Sequence, residues 1–140
     1  MRFEKSIEID ASQQRVWDVL SDLEAWPQRI ETVELVELLT PPPIATGSRV
    51  RLKQPKLPEG DWDVTAWDAP SNFEWTQKSA GTRSVAGHRV EPLGEDRARL
   101  TLTLEMRGLL VPMMALFYRT LTNDYMNLEA EGMKRAAESA

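Results

Sequence analysis

Acid–base chemistry has one natural home in this 140-residue chain, because His88 is its only histidine and it has no cysteine. An imidazole is the one side chain whose unperturbed pKa lies near neutrality, so any proton transfer at neutral pH begins at His88. The absence of cysteine excludes disulfides, thiolate nucleophiles and thiolate-ligated metals, and one histidine excludes a multi-histidine metal centre. Neither GxxxxGK nor GxGxxG occurs, so phosphate-cradling loops are missing. No metal and no cofactor is therefore expected. Lys and Arg total 17 against 22 Asp and Glu, a net charge of −5, which argues against nucleic acid as a partner.

The elements that must position His88 follow from periodicity. Phe3, Ile7 and Ile9 alternate with Arg2, Glu4, Ser6 and Glu8 as a half-buried strand does. Asp10 then caps a short helix over 11–20, Ser21-Asp22 offers a second cap, and Trp26-Pro27 ends the turn that follows. Residues 32–39 read as a strand stopped by Pro41-Pro42-Pro43. Gly47 opens another, in which Arg49, Arg51 and Lys53 form one stripe, either a solvated face or a guide for an anionic ligand. Lys56 to Gly60 is a loop. Strands then recur at Trp62–Trp67, Phe73–Gln77, Ser84–Glu91 and Ala98–Met106 with short connections, an antiparallel meander. From Val111 to about Ala137 the period is helical, with Leu110, Met114, Phe117, Leu121, Tyr125 and Leu128 on one stripe, and Pro112 suits the first turn. Such a helix extends about 40 Å and must lie across the whole sheet. Glu129, Glu131, Lys134, Arg135 and Glu138 read as surface charges with no site, Glu131 pairing with Arg135.

Register arithmetic sorts the strand residues into faces. A two-residue turn at Ala80-Gly81 opposes Gln77 to Ser84, Trp75 to Ala86 and Phe73 to His88. The preceding turn, at Ala69-Pro70-Ser71, pairs Trp62 with Gln77, Val64 with Trp75 and Ala66 with Phe73. A three-residue loop, Gly94-Glu95-Asp96, sets His88 against Leu102 and keeps Leu100, Leu102 and Leu104 inside, whereas a one-residue slip turns them all outward. The inner face then carries Trp62, Val64, Ala66, Phe73, Trp75, Gln77, Ser84, Ala86, His88 and Val90, with Met106 at its end. Gln77 and His88 need polar partners there, since an unpaired buried polar group costs about 1–3 kcal/mol.

Ile7-Glu8-Ile9-Asp10-Ala11 leading into Val16-Trp17-Asp18-Val19-Leu20-Ser21-Asp22, then Trp26-Pro27, Gly47-Ser48-Arg49-Val50 and the closing helix, resembles the polyketide cyclase/dehydrase and lipid-transport branch of the SRPBCC superfamily, which includes START and birch-pollen-allergen-like proteins. The resemblance spans nearly the whole chain. It implies an α+β helix-grip fold: a curved antiparallel seven-stranded sheet wrapped around a long C-terminal helix, with two short helices after the first strand. It also implies an apolar cavity for lipids, polyketides, isoprenoids or aromatic molecules, in cyclases and carriers alike.

Three readings of function stay open. The first is binding of a hydrophobic small molecule in a cavity lined by Trp62, Val64, Phe73, Trp75, Gln77, Ser84, Ala86, His88, Leu102, Met113, Met114, Phe117, Tyr118, Leu121 and Tyr125. The second is a polyketide cyclase or dehydratase in which His88 moves a proton. The third is a protein-partner module, a homodimer included, docking through the apolar segment 109–117, which is otherwise covered by the Pro55–Gly60 loop or serves as a ligand gate. The length fits one domain, residues 1–140. Gly108–Tyr118 falls short of the roughly 20 residues that span a bilayer. Met1-Arg2-Phe3-Glu4-Lys5 is not a signal sequence, so the expected compartment is the cytoplasm.

Overall fold

A computed structural model describes residues 1–79 and 81–139. Seven strands, β1 (Arg2–Ile9), β2 (Leu35–Leu38), β3 (Arg49–Lys53), β4 (Gly60–Asp68), β5 (Asn72–Ser79), β6 (Thr82–Gly94) and β7 (Arg97–Arg107), pair in the order β1-β7-β6-β5-β4-β3-β2. Every pairing is antiparallel. Helix α1 (Gln13–Ser21), a 3₁₀ turn at Leu23–Ala25 and the short α2 (Trp26–Arg29) follow β1, and α3 (Val111–Glu138) closes the chain. This is the expected helix grip. Among the described residues no helix is long and apolar enough to cross a membrane.

Of two local expectations at the first helices, one is corrected and one extended. Ser12, not Asp10, caps α1: its Oγ accepts the Arg15 N–H at 3.1 Å, while the Asp10 N–H goes to Glu138 Oε2 at 2.8 Å. Trp26-Pro27 does stand at the end of the 3₁₀ turn, which stops at Ala25, but it also opens α2, because a proline in the first turn forfeits no hydrogen bond. Trp26 is thereby held inward, its Nε1–H donating to the Leu20 carbonyl at 2.9 Å.

Register decides what faces the core. The β5–β6 pairing sets Phe73 opposite His88, Trp75 opposite Ala86 and Gln77 opposite Ser84, as expected. Ala80 itself lies outside the described residues. His88 also faces Leu102 across β6–β7, but the route differs. A register shift between Pro92 and Gly94 takes up one residue, and Gly94 pairs with Arg97 around a two-residue turn at Glu95-Asp96. A second shift falls between Val64 and Ala66 on β4. It leaves Val64 on Trp75 but moves Trp67, and not Ala66, opposite Phe73. Trp67 then packs on Phe73 and on Trp17 of α1 at centroid distances of 5.2 and 5.3 Å. The bulge exchanges a methyl for an indole on the inner face.

Helix α3 is held at its C-terminal half. Ala130, Met133 and Ala137 are buried there. Gly132 meets α2 so closely that a Cβ would stand 2.3 Å from the Arg29 carbonyl oxygen. Lys134 reaches the Glu8 carbonyl at 3.0 Å and Glu138 at 2.6 Å, which replaces the expected Glu131–Arg135 pair. The entry to α3 and its first half are different: Leu109, just before the helix, and Met113, Leu116 and Phe117 within it are 94%, 56%, 80% and 71% exposed. The Pro55–Gly60 loop does not cover that segment. It lies deeper along the helix, where Tyr125 Oη donates to the Pro55 carbonyl.

Candidate functional site

Between the sheet and the middle of α3 lies a cavity of about 400 Å³. It exists because one helix cannot fill a seven-stranded curve whose facing positions include small side chains. Ser84 and Ala86 sit on β6 opposite Gln77 and Trp75 on β5, so the sheet surface is recessed there. Of the residues expected at the walls, Trp62, Trp75, Gln77, Ser84, Ala86, His88, Leu102, Met114, Tyr118, Leu121 and Tyr125 line the space. Four do not. Val64 and Phe73 are buried behind the wall at 1% and 0% exposure, and Met113 and Phe117 face solvent. The inward line on α3 is Met114, Tyr118, Leu121 and Tyr125, stepping 4, 3 and 4, so of the two aromatics expected in the wall Tyr118 lines it and Phe117 does not.

Phe73 serves the site from behind. Its ring stacks on the imidazole of His88 at 4.0 Å with 11° between planes, while Trp75 stands edge-on to the same imidazole at 5.5 Å and 88°. His88 Nδ1 lies 3.3 Å from the Phe73 carbonyl oxygen, which can only accept, so Nδ1 carries the hydrogen. Nε2 is left pointing at α3, where Glu129 Oε1 lies 3.6 Å away. The imidazole is thus stacked on one face, flanked by an indole and held at one nitrogen, with the other nitrogen beside a carboxylate in the wall of the cavity. A proton on either atom turns two opposed lone pairs into an attractive contact, which is the requirement for a proton donor or acceptor held in place.

Glu129 was read from sequence as a surface charge and belongs to the wall. The signal was available: four residues beyond Tyr125, it continues the inward helical line. Trp26, Ile30, Val33, Leu52, Leu57 and Met126 also join the wall without having been expected there. Trp26 escaped because Trp26-Pro27 reads as a helix end.

The remaining polar groups are held by particular devices. Gly60 leaves room for Gln77: a Cβ there would stand 1.7 Å from Gln77 Nε2, so the amide lies across β4 at the cavity wall. Lys53 Nζ donates to the carbonyls of Gln54 and Leu57 at 3.1 and 2.7 Å, tying down the loop whose Leu57 and Pro58 close one side. Burial, with a smaller contribution from the charge of Glu34, pushes the Tyr125 phenol above its ordinary pKa and keeps it a neutral donor.

The stripe of Arg49 and Arg51 is occupied. Their Nε groups donate to Asp63 and Asp61 at 2.9 Å each, and Asp61 is held below the usual carboxylate range chiefly by the Arg51 hydrogen bond. These charges cancel on the outer face, so the anion-guide reading gives way to the solvated-face one. Among the described residues no group of three or more His, Asp or Glu is arranged to hold a metal ion.

The sequence pattern described as polyketide cyclase / dehydrase and lipid transport matches residues 1–138. No curated protein matches the chain in sequence. Among solved structures, a START superfamily protein from Mycobacterium smegmatis superposes with a TM-score of 0.80 at 19% identity, covering 98% of this chain and 97% of that one. Norcoclaurine synthase from Thalictrum flavum, in complex with dopamine and hydroxybenzaldehyde, gives 0.77 at 15% identity over 100% and 88%. The Zhui aromatase/cyclase from Streptomyces sp. R1128 gives 0.72 at 17% over 98% and 90%. At these identities the likeness is one of fold.

Proposed function

Because this chain belongs to the polyketide cyclase / dehydrase and lipid transport family, we propose that its cavity is a receptor for one hydrophobic small molecule of polyketide, lipid, isoprenoid or aromatic character. The observation that carries this is the space of about 400 Å³ walled by Trp26, Trp62, Trp75, Met114 and Leu121, a volume in the range of small-molecule sites. Burial of the ligand's apolar area drives binding, and Met114 and Met126 adapt the wall to its outline. Gln77, Tyr118 and His88 bond its carbonyl or hydroxyl groups. Among the described residues no Lys or Arg lines the cavity, whereas Glu129 does, so a neutral head is favoured over a carboxylate.

Native mass spectrometry of the purified protein, followed by extraction of what it carries, tests the proposal. A neutral apolar molecule in one-to-one ratio is the expected finding. A protein that carries nothing, and takes up nothing from a panel of neutral polyketides, isoprenoids and aromatics, overturns it.

A second reading, cyclase or dehydratase chemistry, is favoured by one observation, the approach of His88 Nε2 to Glu129. In that reading the cavity holds a flexible polyketone in a folded pose while the imidazole takes a proton from carbon and returns it to the departing or forming hydroxyl. Turnover of a polyketone that survives in His88→Gln excludes this mechanism and leaves the receptor reading standing.

A further inference from the structure

The cavity is polar at both ends and apolar between them. Its lining runs along β6 from Thr82 and Ser84 past Ala86 to His88, and along α3 from Tyr118 past Leu121 to Glu129. Ser79 and Tyr118 are exposed at the first end, while Trp26, His88 and Met126 are buried at the second, so the space opens near Tyr118 and ends blind at His88. Ser84 and His88 are four residues apart on one strand, about 13 Å of extended chain. Ala86, Leu104 and Leu121 line the interval and bring no polar side-chain atom.

Two hydrogen-bonding groups stand unpartnered at the blind end. The Nδ1 hydrogen of His88 goes to the Phe73 carbonyl, and the 3.6 Å from Nε2 to Glu129 Oε1 exceeds a normal hydrogen bond. Neither Nε2 nor the Glu129 carboxylate has another partner among the described residues. Thr32 Oγ1 is the one fully buried side-chain atom there in that condition, so these two groups are open to the cavity. An oxygen about 2.8 Å from each would close a triangle on the 3.6 Å edge, so a single atom can bridge them.

The hydrogens decide what can bridge them. When the pair holds one proton, on Nε2, the bridging group must take a hydrogen bond from the imidazole and give one to the carboxylate, and a hydroxyl does both. When it holds none, a hydroxyl still gives its hydrogen to one of the two acceptors. A ketone or an ether brings no hydrogen and leaves the carboxylate unpaired in an apolar wall, a costly arrangement. An ammonium gives hydrogens but takes none, and it would face a like charge at Nε2–H. We propose that the blind end is a hydroxyl-reading subsite, in which Glu129 Oε1 and His88 Nε2 together bind the alcohol or phenol group of an elongated ligand that enters hydroxyl first. The ligand's apolar body then lies along Ala86, Leu104 and Leu121, with its far end near Ser84 and Tyr118 at the mouth. The subsite rests on the cavity's being a receptor, and it adds which end of the ligand is buried and what selects it.

Displacement of the neutral dye Nile red by matched probes tests it. Para-hexylphenol and para-hexylanisole differ by one methyl on the oxygen, and the anisole is the more apolar, so burial alone favours the anisole. Wild type is expected to bind the phenol about tenfold more tightly or better, because a hydrogen bond to a charged group is at stake. Glu129→Leu should bring the two probes within about twofold of each other, whereas Ser84→Ala, at the mouth, should leave their ratio as in wild type. Circular dichroism checks that each variant is folded, and the wild-type comparison needs no variant. Equal binding of the probes, or preference for the anisole, in wild type overturns the proposal. A preference for the phenol that survives in folded Glu129→Leu, or is lost in Ser84→Ala, overturns it as well. Tighter binding of para-hexylbenzylamine than of the phenol also does so, by giving the subsite to a cation. Wild type that takes Nile red but neither matched probe overturns the subsite, while wild type that takes none of the three overturns the receptor reading itself.

Discussion

His88 Nε2 on β6 stands 3.6 Å from Glu129 Oε1 on α3, so the one imidazole of the protein and one helix carboxylate meet across the cavity. A sheet residue and a helix residue thus face each other here with polar groups. Removing either partner leaves the other beside an apolar wall, and the two effects should not add. A double-mutant cycle on His88→Gln and Glu129→Gln, read by urea denaturation, is expected to give a coupling of at least about 0.5 kcal/mol. Additive losses would mean that the two groups do not interact.

Gly132 sets how near α2 comes to α3. An alanine there gains up to about 1 kcal/mol of helix propensity. Its Cβ, however, would stand 2.3 Å from a backbone oxygen of Arg29, which has no rotamer to escape into. The clash wins, and Gly132→Ala should lose about 1–3 kcal/mol net, measured as a lower urea midpoint. A stabilised Gly132→Ala would mean that the helices sit further apart than described.

Glu138 ties the end of α3 to β1. Its carboxylate accepts from Lys134 Nζ and from the Asp10 N–H, and these bonds, the lysine's first, hold it below the usual carboxylate pKa. A depressed carboxylate contributes stability that is present above its unfolded pKa and lost as pH falls through its folded one. Glu138→Gln should therefore be less stable than wild type near neutral pH, with the difference closing on acidification below the carboxylate range. A deficit that grows in acid contradicts the assignment.

Thr32 has the one buried side-chain hydroxyl among the described residues that finds no partner in the protein. Valine has nearly the same shape and no hydroxyl to desolvate. Thr32→Val is expected to raise stability by about 1 kcal/mol in thermal or urea unfolding. A loss of that size would show that the hydroxyl is bonded, with water as the remaining candidate.

Much of this was legible in the sequence because the strand period leaves little freedom. Once Phe73, Trp75 and Gln77 are set inward, Ser84, Ala86 and His88 must oppose them, and His88 falls opposite Leu102 whatever form the next turn takes. The bulge near Thr65 was not legible, since Ala66 and Trp67 are both acceptable inside and only packing on Trp17 selects the indole. On α3 both 114-117-121 and 114-118-121 are helical spacings, and both offer an aromatic. Composition could not choose between Phe117 and Tyr118, and the sheet's shape does. Glu129 was missed because a charged residue on a helix is ordinarily solvated, and its companion His88 is 41 positions earlier in the chain.

The central claim is that the space between sheet and helix is open and apolar. Titration with Nile red, followed by dye emission and by tryptophan fluorescence, measures this directly when wild type is set beside Ala86→Trp, which puts an indole into the recess on β6. The account predicts one saturable site in wild type, with Trp26, Trp62 and Trp75 responding, and its loss in a folded Ala86→Trp. Absence of saturable binding in wild type, or equal binding in the filled variant, would contradict it.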